Sequence, residues 1–419
     1  MIEVRSRFGK LELSRQVIEH KDQEKHAIPS NAILPAHEGI IVTRGLQEWA
    51  CRLPQDLSFA GAQRLLGWQT QDEKILSEST LRNLVREHGA IIRQAEHEEV
   101  EALLEMEDRT ELKVQLVPHE TPRRRAGWPE EMSAAVETAL EAEDIQAPKG
   151  VSAADWERVL EARRAEATRT IEELRCLGPE VAEGQVFVTT DEVLTRKPEK
   201  RRFWELRTAR VVTKDGYRYL SGVGDSFLQL LFVLLLALLS TPEHHTLLLI
   251  ADGARWIRIF FADWLAWLPD KEMILDWYHV RRKVSQLGSM IYRGRKGRKQ
   301  FLGSLYRHLW QGDVDAAVAV LEAYRSQTRN EAKLDELIAY FHKRLPFMPN
   351  YRQRRRARRY IGSAHAEKAN DLIVARRQKR QGMHWSLATS DALAALKTLM
   401  LNGGWDLYWQ QRQVLPLVA

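Results

Sequence analysis

The chain has 419 residues, 44% hydrophobic and 29% charged, which excludes a disordered or fibrous protein and calls for two or three globular domains. Its two cysteines, Cys51 and Cys176, exclude a disulfide framework or zinc knuckle and favour a reducing compartment. The net charge of +6 conceals an asymmetry: residues 281–380 carry 25 Lys and Arg against 8 Asp and Glu, a net of +17 that leaves −11 for the rest. Such a block points to a polyanionic partner, most often nucleic acid; the bland alternative is a solvated helical face.

In chain order, no basic-then-apolar signal segment opens the sequence, and residues 1–43 show only the alternating run Ile2-Glu-Val-Arg5. Residues 44–97 read as helical. Ser58 caps a helix Phe59–Leu66 ended by Gly67, and Ser77 caps a second, Ser79–Gly89, with Leu81, Leu84 and Val85 on its apolar side. The second helix presents Thr80, Arg82, Asn83 and Arg86, in the form of a DNA-binding helix-turn-helix. Its connection, Trp68–Leu76, is long, so an ordinary helical hairpin is the competing reading. Residues 98–184 alternate acidic helical stretches with breakers. Pro118–Pro129 reads as a linker, and its Arg123, Arg124 and Arg125 as linker charge or minor-groove contacts.

From residue 185 the period changes. Gln185–Asp191, Phe203–Thr213 and Tyr217–Leu220 predict strands, with Lys214-Asp-Gly216 turning between the last two. The apolar run Phe227–Leu239 spans 13 residues, short of the ~18 a bilayer crossing needs, and predicts a buried helix. Strand Thr246–Ala251, helix Ala254–Leu268 and strand Met273–Leu275 follow. The order βββ-α-β-α-β-α over 185–279 is similar to that of a ribonuclease H-like core. In that fold the first strand lies beside the strand after the first helix, which would bring together Asp191 and Asp252, 61 positions apart. Residues 280–359 predict a basic all-helical insertion, and 360–419 the last core helices. The fold class expected is therefore α/β, a ribonuclease H-like catalytic core with a helical insertion and an N-terminal helical DNA-binding region.

The chemistry-bearing residues are acids. Asp191 and Asp252 each close a strand-like run, and Glu367 opens a helix that leads into Arg376-Arg-Gln-Lys-Arg380. Three carboxylates suit a pair of magnesium ions, which take hard oxygen ligands and polarise a phosphodiester. Taken singly, Asp191 reads as a turn former, Asp252 as a cap and Glu367 as a helix N-terminal carboxylate. Glu192 and Asp371 compete as ligands, although strand alternation turns Glu192 to the opposite face. Asp276 and His279, in Asp-Trp-Tyr-His279, line the site or cap the next helix. Arg293, Arg295 and Lys296, with Arg354, Arg355 and Arg358, read as phosphate contacts. Among 13 tryptophans, Trp310, Trp385 and Trp405 are stacking candidates, though most should be core.

These residues carry a resemblance. Gly362-Ser-Ala-His-Ala-Glu367, Arg377-Gln-Lys379-Arg-Gln-Gly382-Met-His-Trp385, Asp252-Gly-Ala-Arg-Trp-Ile257 and Leu275-Asp-Trp-Tyr-His279 together resemble the DDE-type bacterial insertion-sequence transposases whose last acid lies in a Gly-Ser-Gly-x-x-Glu motif. The likeness covers residues 185–398 and reaches, more faintly, to 44. It implies Asp191, Asp252 and Glu367 as the metal-binding catalytic acids, with Mg2+, or Mn2+ in its place. It also implies DNA contacts from Arg82 and Arg86 and from Arg377, Lys379 and Arg380, and double-stranded DNA, both element ends and target, as partner. A homo-oligomer assembled on DNA, no membrane and a cytoplasmic, nucleoid-associated location complete the expectation. A catalytically inactive DNA-binding regulator and a structure-specific nuclease of the same fold are the rival readings. Ala364, Ser390-Asp391 and Lys397 depart from the group's usual residues.

Overall fold

The computed structural model describes residues 2–13, 18–19, 26–27, 36–37, 40–119, 152–162, 165, 181–199, 202–294, 297–379 and 383–418; it is a mixed α/β protein. The predicted linker beyond His119, with Arg123, Arg124 and Arg125, lies outside the described residues, as does Cys176. The chain divides into two units. The larger comprises Met1–Pro118, Ala182–Tyr351 and Ile361–Ala419; the smaller comprises His119–Val181 and Arg352–Tyr360. In the smaller unit, residues 153–162 are helical.

The larger unit opens with a small sheet built from Ile2–Ser6, Gly9–Leu13, Ala36–His37 and Ile40–Val42. Helices α1 (Arg44–Arg52), α2 (Phe59–Thr70) and α3 (Glu78–Glu105) follow. Ser58 and Ser77 cap α2 and α3 through their hydroxyls, as predicted. Both helices overrun their predicted ends: α2 passes through Gly67, and α3 continues 16 residues beyond Gly89. Gly89 is not a stop signal because it marks where α3 crosses a C-terminal helix. A Cβ there would lie 2.5 Å from Ala392 Cα, so close packing outweighs the ~1 kcal/mol propensity cost of a helical glycine.

The main sheet contains β1 (Val117–Pro118), β2 (Gln185–Arg196), β3 (Phe203–Val212), β4 (Gly216–Gly222), β5 (Thr246–Ala251) and β6 (Lys271–Leu275), in the order β6-β5-β2-β3-β4-β1. β3 runs antiparallel to β2 and β4, whereas β5 is parallel to β2 and β6. β2 is longer than predicted. It outlasts its pairing with β5, which ends at Ile250 opposite Thr189, and continues along β3 to Arg196. Asp191 is therefore an interior residue of β2, at the point where its β5 neighbour peels away.

Alternation along β2 feeds two cores. Val186 and Val188 pack with α4 (Gly224–Leu239) and with Val100 and Leu103 of α3. Covered by the sheet on one side and by α3 on the other, α4 is apolar nearly all round. Among the described residues no helix is long and apolar enough to cross a membrane. After β5 comes the short α5 (Arg255–Ile259), prolonged by a π-helical turn Phe260–Trp264. On the opposite face Val193, Leu206 and Tyr219 meet Ala369, Ile373, Val374 and Ala394.

Four helices form the predicted insertion: α6 (Trp277–Ile291), α7 (Arg298–Trp310), α8 (Val314–Ala323) and α9 (Glu331–Arg344). They have a core of their own, with Val280, Leu305, Leu321 and Phe341 at its centre. Then come α10 (Tyr351–Arg356), α11 (Ala364–Asn370), α12 (Leu387–Leu401) and α13 (Trp405–Gln411). α12 lies along α3, and Leu46, Leu66, Leu84 and Ile92 share one core with Trp385, Leu393, Leu396 and Tyr408. The 44–97 region thus shares its core with the C-terminal helices.

Candidate active site

Register places the first two acids together. Ile250 pairs with Thr189 in parallel, so Asp191, within β2, and Asp252, just past the end of β5, each lie two residues beyond that pair. Each carboxylate is oriented by one backbone amide: Glu192 N–H donates to Asp191 Oδ1 (2.8 Å) and Ala254 N–H to Asp252 Oδ1 (2.8 Å). Gly253 makes the second turn possible, with φ +76° and Leu275 Cδ2 at 2.6 Å from where a Cβ would sit. Burial, aided by the neighbouring Asp252 and Glu192 charges, lifts the Asp191 carboxyl to about 6, against the lowering influence of the Glu192 amide and His279.

α11 packs on β2 and β3 and delivers a residue the sequence did not single out. Asn370 Nδ2 donates to Asp191 Oδ2 (2.9 Å), and Thr208 Oγ1 donates to Asn370 Oδ1 (2.6 Å). Glu367 sits three residues earlier on the same helix, about 4.5 Å along its axis, with its side chain exposed. Among the described residues no three acidic, histidine or cysteine side chains converge as a metal-ligand group. Asp191 and Asp252 come together, and Glu367 stands one helical turn from their Asn370 anchor. The donors are all hard carboxylate oxygens, which fits magnesium. Asp252 Oδ2 accepts no hydrogen bond among the described residues.

The competitors are occupied. Glu192 points to the other face, as alternation predicts, and accepts from Trp256 Nε1 (2.8 Å). Asp371 begins a π-helical turn, Asp371–Ala375, and pairs with Arg376 (2.7 Å). Asp276 is 1% exposed and tethers two helix starts. Its Oδ1 accepts from Tyr278 and His279 N–H, capping α6, while Oδ2 accepts from the Ser363 amide (2.7 Å) and hydroxyl. Burial would raise its carboxyl, but His279 and Ser363 overcome that and hold it at about 2. Trp277 N–H donates to the Ile361 carbonyl (2.9 Å) and completes the tether. Asp276 therefore positions the segment leading into α11. His279 Nδ1 lies 3.4 Å from Asp276 Oδ2, which raises the imidazole above its usual range, and its ring borders a cavity that also contains Asp252.

The basic residues divide into exposed and packed ones. Arg293, Arg355 and Lys379 are exposed. Arg295, Lys296 and Arg380 lie outside the described residues. Arg354 is buried and donates to the Tyr360 carbonyl (3.2 Å), and Arg358 is half-buried. Arg377 is a packing residue, corrected from its predicted surface role. It lies over the Trp385 and Phe59 rings and donates to the Pro54 carbonyl (2.6 Å). Motif spacing cannot reveal this, because a guanidinium stacks as readily as it binds phosphate. Arg82 lies over Phe59, while Arg86 donates to Thr389 (2.7 Å) and Ser386 (3.2 Å) at the start of α12. Trp310 stacks on Tyr351 and Trp385 is core.

The departures from the group's motifs have local partners. Ser390 Oγ bonds Gln378, and Asp391 receives a paired contact from Arg93 (2.7 Å), which also holds Glu96 (2.7 Å). Lys397 reaches Asp56 (3.1 Å). Ala364 is exposed at the first position of α11. No protein-family model matches the chain, and comparison with curated proteins finds no match.

Proposed function

We propose that the chain is a DDE-type transposase with a ribonuclease H-like core, which hydrolyses phosphodiesters at element ends and directs the freed 3′-OH onto target DNA. One observation carries the reading. Asp191 in β2 and Asp252, just past the end of the parallel β5, each lie two residues beyond the paired Thr189 and Ile250, and the helix that bears Glu367 reaches Asp191 through Asn370. The strand order supports it too. The first core strand, β2, is flanked by β3 and β5, and β3 points opposite to the other four core strands.

Divalent cations held by Asp191, Asp252 and Glu367 would activate the attacking oxygen and stabilise the leaving one. The chain's own residues prepare the site. Asn370 and the Glu192 amide fix Asp191, and the Ala254 amide fixes Asp252 with its second oxygen open. Ser363, held by Asp276, sets where α11 begins. Double-stranded DNA is the proposed partner, with residues 44–97 holding the element ends in a homo-oligomer.

The test is cleavage of supercoiled DNA carrying the element ends, with Mg2+ and then Mn2+. Asp191→Asn, Asp252→Asn and Glu367→Gln should each lose cleavage while duplex binding persists. Any of the three cutting at the wild-type rate removes its assignment. The exposed position of Glu367 is the observation that favours the alternative, a DNA-binding regulator without activity; that reading stands if the unaltered chain binds but never cuts. A structure-specific nuclease would cut branched DNA and give no joined product.

A further inference from the structure

A cavity of about 420 Å³ opens between α6 and α9, with Asp252, His279, Arg282, Lys343 and Arg344 among its walls. Its volume lies in the range of sites that enclose a small-molecule-sized group. Lys283 also borders it but is already matched, since Glu336 takes both Lys283 (2.9 Å) and Lys333 (2.6 Å). Arg282 and Lys343 are exposed and have no ion pair among the described residues.

Arg344 is the informative member. Its guanidinium lies 4.3 Å from the Tyr340 ring centre, and its Nε would be 3.4 Å from a Cβ on Gly253, the residue after Asp252. That Nε is buried and has no hydrogen-bond partner among the described residues. A buried charged donor without an acceptor is costly to leave unmatched, so the arrangement calls for an acceptor from outside the chain. Resting on a ring, the guanidinium keeps its planar fork in one orientation, which suits the oxygens of a phosphate or carboxylate. Three unmatched cations around one opening favour the more highly charged backbone of a nucleic acid, met through its phosphates.

We propose that this cavity is a phosphate-binding subsite for the DNA strand, adjoining the bond addressed by Asp191 and Asp252. Arg344 holds the phosphate and Arg282 and Lys343 draw the strand in. The choice of DNA as ligand rests on the transposase reading; the unmatched cations do not.

The experiment measures binding of the full chain to a fluorescein-labelled 20-base-pair duplex by anisotropy, in EDTA, across a salt series. The double variant Arg282→Ala/Lys343→Ala removes two exposed side chains and leaves the core intact. It should weaken binding about tenfold and reduce the slope of log affinity against log salt by about 1.8, that is ~0.9 per lost phosphate contact. Arg344→Lys keeps the charge and loses the fork, so it should weaken binding severalfold with an unchanged slope. Wild-type affinity and slope in both variants would overturn the subsite. Because EDTA prevents cleavage, an unaltered chain that never cuts DNA would end the transposase reading while leaving this result readable.

Discussion

Asp276 shows how a candidate catalytic acid becomes a positioning residue once its lone pairs are counted. Its two oxygens accept from four groups on α6 and the segment entering α11, so neither is open to a cation. Its carboxyl is held at about 2, below the ~3.9 of an unfolded chain. The charged form thus stabilises the fold above pH ~4, and the contribution disappears as pH falls from there through about 2. A carboxyl held that far below its unfolded value contributes about 2.5 kcal/mol at neutral pH. We expect Asp276→Asn to lose roughly that much in urea unfolding at pH 7. The gap to the unaltered protein should narrow steadily from pH 5 downward. A gap independent of pH would show that the charge on Asp276 is not what ties the two helices.

At the scale of elements, the crossing of α3 and α12 reverses an ordinary rule. Replacing an interior helical glycine by alanine normally gains up to ~1 kcal/mol. At Gly89 the new methyl would meet Ala392, whose Cα is backbone and lies 2.5 Å away, so overpacking at ~1–3 kcal/mol wins. Gly89→Ala should lower the thermal midpoint, and Ala392→Gly added to it should recover part of the loss. A stabilised single variant would mean that the helices separate easily.

The same crossing explains what the sequence could and could not disclose. Strand β5, helix α4 and the caps at Ser58 and Ser77 were legible because they depend on local pattern. The nearness of Asp191 and Asp252 is expected only through the resemblance of the element order to a ribonuclease H-like core, in which those two strands are neighbours. The roles of Asn370 and Ser363 and the bond from Arg377 to Pro54 were not legible, since each depends on a partner 87 or more residues away, such as Asp276 for Ser363. The second predicted helix goes no further than Gly89, and a glycine that permits close packing and one that ends a helix look alike in one dimension.

For the whole molecule, the consequence is that the N-terminal helices are not an appended module. Leu46, Leu66, Leu81, Leu84, Val85 and Ile92 bury themselves together with Trp385, Leu393, Leu396 and Tyr408. Polar ties cross the same boundary: Arg93 to Asp391, Lys397 to Asp56, Arg377 to Pro54 and Arg86 to Ser386 and Thr389. Residues 44–105 alone would leave one side of α3 without its α12 cover, and a fragment near 60 residues has little core to lose. Expressed by itself, this fragment should unfold over a broad range of urea with no cooperative transition. Adding a peptide of residues 383–415 should raise its helicity and sharpen the melt. DNA binding by this region would then depend on an intact C-terminal segment, so truncation after residue 382 should abolish it. A 44–105 fragment that melts sharply and binds DNA unaided would restore the picture of an independent helix-turn-helix module.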